Sequence, residues 1–191
     1  MERRVFIIHG WGAAPEREWF PWLREQLEHH NLDVIIPAMP HTEHPVIEEW
    51  VAMLRTVAGA LRPTDIFVGH SVGCQAIMRF FEQENVSSVA GFICVAGWFT
   101  LRGVETGEEW AIAKPWLDTP IDLAMVKRTA GSITAIFSES DPYVDLAINR
   151  DMFEQQLGAR IIIEHDKGHF SEDNGIYELP IVRDTILTLI Q

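Results

Sequence analysis

The stretch Thr64-Asp65-Ile66-Phe67-Val68-Gly69-His70-Ser71-Val72-Gly73-Cys74-Gln75 decides the fold. Ile66-Phe67-Val68 is an apolar run of the kind a strand buried on both faces requires. It stops at Gly69, and a helical pattern follows with Ala76, Ile77, Phe80 and Phe81 on one face. Between them, Gly69-His70-Ser71-Val72-Gly73 fits the Gly-x-Ser-x-Gly turn that lifts a serine hydroxyl clear of a sheet. Small residues flank that serine because side chains there would meet neighbouring backbone. The Val72 N–H, at the start of the helix, is then a candidate donor to a developing oxyanion. A serine that merely caps the helix is the plainer reading of the same turn.

Working outward, further apolar runs occupy residues 5–8, 33–36, 89–96, 133–137 and 160–164. Amphipathic stretches alternate with them. Trp19, Leu23 and Leu27, with Trp22 beside them, open the series. Ile47, Trp50, Val51, Leu54, Ala58 and Leu61 continue it and are expected to stop at Pro63. A short helix is expected over residues 121–126. Another carries Val144, Ile148, Met152 and Leu157 and is capped by Gly158. A last one opens near Pro180. Six strands alternating with helices argue for a parallel sheet covered on both faces, in one domain spanning residues 1–191. Residues 98–120 are expected to form a small flap rather than a crossover helix. Their Trp98, Phe99, Trp110 and Trp116 are candidate walls of a substrate pocket, although plain packing explains them as well.

A serine nucleophile needs a base, and the base needs an acid to orient it. Asp141 stands just past the strand at 133–137 and His169 just past the strand at 160–164, on the same rim as Ser71. The chain order Ser, Asp, His is that of the α/β-hydrolase arrangement. Glu139 and Asp145 compete with Asp141, and His165 with His169. Asp141 is preferred because Pro142 fixes its turn, whereas Asp145 suits a first helical turn. His169 follows Gly168 in a loop fit to deliver an imidazole. The Trp11 N–H, between Gly10 and Gly12, is the candidate second oxyanion donor.

Composition narrows the partners. Net charge is −13 over 191 residues, which disfavours nucleic acid or an anionic membrane as principal partner. No apolar run nears the ~20 residues a bilayer requires. Cys74 and Cys94 fall on a helix and a strand, read as buried small hydrophobes, and a cytoplasmic location is expected. His41-Thr42-Glu43-His44 lies among prolines without a third ligand, so no metal is expected, nor any cofactor, since dinucleotide and P-loop patterns are absent.

Together these residues resemble the small serine hydrolases related to retinoblastoma-binding protein 9, within the α/β-hydrolase superfamily. The resemblance runs over nearly the full length. It rests on Val5–Gly10 with Trp19-Phe20-Pro21-Trp22-Leu23, on Pro45 through Val51, and on the Ser71 turn. Ser140-Asp141-Pro142-Tyr143-Val144 and Gly168-His169-Phe170 complete it. It implies a compact hydrolase lacking the first two strands of larger relatives, with Ser71, Asp141 and His169 as a triad. Asp145 stands where relatives often carry proline, adding an acid close to the triad. The Leu-x-Cys-x-Glu signature is absent around both cysteines, so the retinoblastoma interaction is not implied.

The expectation is a doubly wound, six-stranded, mainly parallel sheet of order 2-1-3-4-5-6. Its function would be to cleave a small carboxylic ester, thioester or amide through an acyl-serine. A flap of some twenty residues cannot enclose a long tunnel, so short or medium acyl groups are expected. A weakly active or non-catalytic member of the fold, acting through protein partners, is the alternative. A C–C bond hydrolase or an acyltransferase would use the same residues.

Overall fold

A computed structural model describes residues 3–84, 88–104 and 107–191. Six parallel strands, β1 (Arg4–Ile8), β2 (Asp33–Ile35), β3 (Ile66–His70), β4 (Gly91–Val95), β5 (Ser132–Ser138) and β6 (Arg160–Glu164), form one sheet in the order β2-β1-β3-β4-β5-β6. Order and direction match the sequence expectation. Because every pair is parallel, every strand points its C-terminal end at the same rim.

Alternation along the strands sorts the core into two layers. Phe6, Phe67, Phe92 and Phe137 face one side, against α2 (Ile47–Ala58), α3 (Val72–Glu82) and α5 (Leu123–Thr129). Val5, Ile7, Val68, Ile93 and Val95 face the other, against α1 (Phe20–Glu28) and α7 (Pro180–Leu189). Cys74 and Cys94 are both buried and unbonded. α6 (Leu146–Met152) runs on through a wider turn, Phe153–Leu157, and ends at Gly158 in the left-handed conformation expected of a cap.

Several boundaries differ from expectation: β4 is shorter than 89–96, α5 runs on past 126 to Thr129, and α6 starts after Val144. α2 ends at Ala58, ahead of Pro63, because Gly59 adopts φ +56° and ψ −136°, a conformation suited to glycine. The segment expected to be an irregular flap contains α4 (Gly107–Asp118), with Pro115 inside it. Its low alternation of apolar residues conceals a helix whose buried side chains, Ala113 and Trp116, are few.

This segment is tied down at both ends. Arg79 of α3, only 1% exposed, donates to the carbonyls of Trp116 and Thr119, both at 2.8 Å. Buried Asn149 accepts from the Phe99 and Thr100 N–H groups and donates to the Thr100 carbonyl. Gln75 donates to the Trp98 carbonyl at 2.6 Å.

Candidate active site

Ser71 sits between β3 and α3 with φ +52° and ψ −121°, a strained conformation for a residue with a side chain. Its N–H is held by the Val95 carbonyl at 2.9 Å. A Cβ on Gly69 would lie 2.7 Å from the Cys74 nitrogen, and one on Gly73 would lie 2.3 Å from the Ile8 oxygen. Only hydrogen at both positions lets the chain turn this tightly. The Ser71 side chain makes no capping bond to α3, so the plainer reading of the motif fails.

The hydroxyl instead meets His169. Ser71 Oγ lies 2.9 Å from His169 Nε2, and His169 Nδ1 lies 2.8 Å from Asp141 Oδ2. A carboxylate accepts only, so Nδ1 carries the proton and Nε2 accepts from the Ser71 hydroxyl. Asp141 is 2% exposed, and its other oxygen accepts from the Tyr143 and Val144 N–H groups at 2.9 and 3.0 Å. The three side chains named from the sequence are thus brought into one hydrogen-bonded chain.

Their rivals are engaged elsewhere. Asp145 caps α6 by accepting from the Ile148 N–H at 3.0 Å, in keeping with a role at the helix start. Glu139 pairs with His165 on the surface at 2.9 Å. The Glu139 carboxylate raises the exposed His165 pKa above its ordinary value. His41 pairs with Glu49 and His44 with Glu108, and no group of three metal-binding side chains occurs among the described residues. No described helix is long and apolar enough to cross a membrane.

A cavity of about 410 Å³ opens over Ser71 and His169. Trp11 and Val72 line it. The Trp11 indole is tethered to the Glu43 carbonyl at 2.9 Å. Of the four aromatic residues expected to wall a pocket, Trp98 and Trp116 do so. Trp116 donates to the Pro45 carbonyl at 2.9 Å. Phe99 and Trp110 do not line the cavity. Phe99 packs on Phe153, with ring centroids 4.8 Å apart, and Trp110 lies under the Lys114 ammonium. Their positions in the sequence alone do not reveal this packing.

Several residues around the site carried no signal strong enough to single out. Ser138 and Ser140 accept from the Lys167 and Gly168 N–H groups, and Asn174 accepts from the His169 N–H at 2.8 Å. Buried His70, the variable residue of the turn motif, lies against the same loop, with half-buried Glu18 beside it. Buried His9 donates from Nδ1 to the Gly10 carbonyl and accepts at Nε2 from the Met39 N–H. Burial lowers its pKa, consistent with a neutral ring that uses both nitrogens.

A family model described as Serine hydrolase matches residues 5–188. The chain belongs to that family. It is 31% identical over 188 residues to the Bacillus subtilis (strain 168) protein YdeN, covering 97% of this chain and 95% of that one. It is 24% identical over 181 residues to the Rattus norvegicus serine hydrolase RBBP9, covering 94% and 92%. The crystal structure of the B. subtilis ydeN gene product superposes with a TM-score of 0.88 at 29% identity, over 98% of each chain. Est1E from Butyrivibrio proteoclasticus shares the fold at 13% identity, with a TM-score of 0.73 over 99% of this chain and 88% of that one. Membership makes this chain a serine hydrolase of α/β-hydrolase-like fold.

Proposed function

We propose that the protein cleaves a small carboxylic ester, thioester or amide through an acyl-serine, in the manner of a carboxylesterase. The observation that carries this reading is the hydrogen-bonded chain Asp141–His169–Ser71 at the base of an open cavity. Ser71 Oγ attacks the substrate carbonyl carbon while His169 Nε2 takes the hydroxyl proton. Asp141 holds the imidazole in the required tautomer and stabilises its charge. The Val72 and Trp11 N–H groups receive the oxyanion. His169 returns the proton to the leaving group, leaving acyl-Ser71. Water, deprotonated by His169, then releases the acid and restores the serine.

The cavity limits the acyl group. Its volume of about 410 Å³ and its walls of Trp98, Leu101, Val104, Ile112 and Trp116 suit a short or medium chain. Each methylene buried there contributes roughly 0.8 kcal/mol until the chain emerges into water.

A fluorophosphonate probe tests the chemistry. We expect labelling at Ser71, none in Ser71→Ala, and turnover in that variant below about 1% of the parent with unchanged melting temperature. Retained turnover would remove Ser71 from the reaction. On p-nitrophenyl esters from acetate to palmitate, kcat/KM should level off by about eight carbons. A continued rise would refute the size limit.

A further inference from the structure

We infer that His70 and Glu18 form a charged positioning pair that sets the His169 imidazole at hydrogen-bond distance from Ser71. The inference rests on the role proposed above for His169. His70 is the last residue of β3, adjacent to Ser71, and is 2% exposed. Its Nε2–H donates to the His169 carbonyl at 2.8 Å. Its Nδ1 faces Glu18 Oε2 at 3.1 Å as an ion pair, outside hydrogen-bond alignment. The Glu18 side chain is itself 10% exposed.

This geometry demands an imidazolium. A neutral ring protonated at Nε2 would turn the Nδ1 lone pair on the carboxylate. A neutral ring protonated at Nδ1 would give up the His169 carbonyl. Burial works against both charges. The mutual attraction of the pair, helped by the His169 carbonyl and Asp141, outweighs it, raising the His70 pKa and lowering that of Glu18.

The pair has marks of a device rather than a stabilising filler. Buried ion pairs seldom improve on apolar side chains of equal volume. Glu18 is delivered by backbone at φ +59°, a left-handed conformation unfavourable for glutamate. The base loop it serves needs holding, since Asp166, Gly168 and Phe170 all have positive φ. The His169 N–H is bound by Asn174 and its carbonyl by His70, while Trp19, next to Glu18, donates to the Phe170 carbonyl at 3.0 Å. Residues 19 and 70 therefore hold the carbonyls of Phe170 and His169, Glu18 bears on the loop through His70, and His70 is joined directly to the nucleophile.

The sign of the pH dependence follows. The charged and titratable groups facing His70 are Glu18 before α1, His9 at the end of β1, Asp141 after β5 and His169 after β6. A raised imidazole pKa means the grip is complete below the ordinary value of 6.5 and is lost as pH rises through the raised one. The parent should thus lose kcat/KM on the alkaline side.

Glu18→Gln tests this, with ¹⁵N-histidine NMR of parent and variant and fluorophosphonate labelling as controls. We expect the alkaline limb to move to lower pH. On that limb turnover should fall about tenfold with KM little changed, and Ser71 should still label. The His70 nitrogens of the parent should titrate above free histidine, and those of the variant lower. A parent that labels while Glu18→Gln gives a superimposable pH profile overturns the positioning pair alone. If the variant does not fold, parent His70 titrating at or below the free value does the same. A parent that fails to label at Ser71 overturns the hydrolase mechanism and this inference with it.

Discussion

The turn bearing Ser71 and the loop bearing His169 meet at 2.9 Å, yet they are held in opposite ways. The turn is held by excluded volume: added carbons at Gly69 and Gly73 would run into backbone atoms of Cys74 and Ile8. The loop is held by separable bonds from Ser138, Ser140, Asn174 and His70 to its peptide groups. Backbone collisions have no graded relief, whereas hydrogen bonds can be removed one at a time. The nucleophile should therefore respond to substitution abruptly, and the base in steps.

The largest expected effect lies where the two regions communicate. Asp141→Asn should lower turnover by ~10²–10⁴ because the imidazole loses the acceptor that fixes its tautomer. Melting temperature should hold, since an asparagine oxygen can still accept from the Tyr143 and Val144 N–H groups. Asp145→Asn serves as control; if it proves the more damaging, the acid has been misassigned. Next, Gly73→Ala should cost up to about 3 kcal/mol in urea unfolding and abolish labelling of Ser71. A loss under about 1 kcal/mol would show that the turn yields, and the contrast would collapse. Smallest, Asn174→Ala should cost about 1 kcal/mol and slow turnover about tenfold, with Ser71 still reactive. A complete loss of activity there would mean that the loop is as brittle as the turn.

The same contrast explains what could be read without coordinates. Excluded volume writes itself into local sequence: glycine at 69 and 73 around a serine, after an apolar run and before a helical pattern, identifies the turn. Asp141 and His169 were legible because each follows a strand, and parallel strands deliver their ends to one rim. The supports of the base loop were not. His70 and His169 are 99 positions apart, and Glu18 stands in a segment with no periodicity. Nothing local distinguishes a glutamate that will face a buried imidazole from one that faces water. The flap helix was missed for a related reason: with few buried side chains and an internal Pro115, α4 lacks the stripe that marks α2 and α3.

Arg79 gives the flap its wider meaning. A buried guanidinium on the nucleophile's own helix holds the carbonyls at the far foot of the segment, while Asn149 and Gln75 hold the near foot. The far foot is fastened to α3, the helix that follows the Ser71 turn, and the near foot to α3 and α6. Between the feet, Arg102 fastens the span again: its side chain donates to the Asp141 and Pro142 carbonyls and its N–H to the Tyr143 carbonyl. Under the proposed function, the wall residues Leu101, Val104 and Ile112 are where selection could trade one acyl preference for another while these fastenings stay. The roof is thus fixed at its fastenings and variable only in its apolar wall. A designer wishing to change the substrate would keep residues 75, 79, 102 and 149 and vary the apolar wall at 101, 104 and 112.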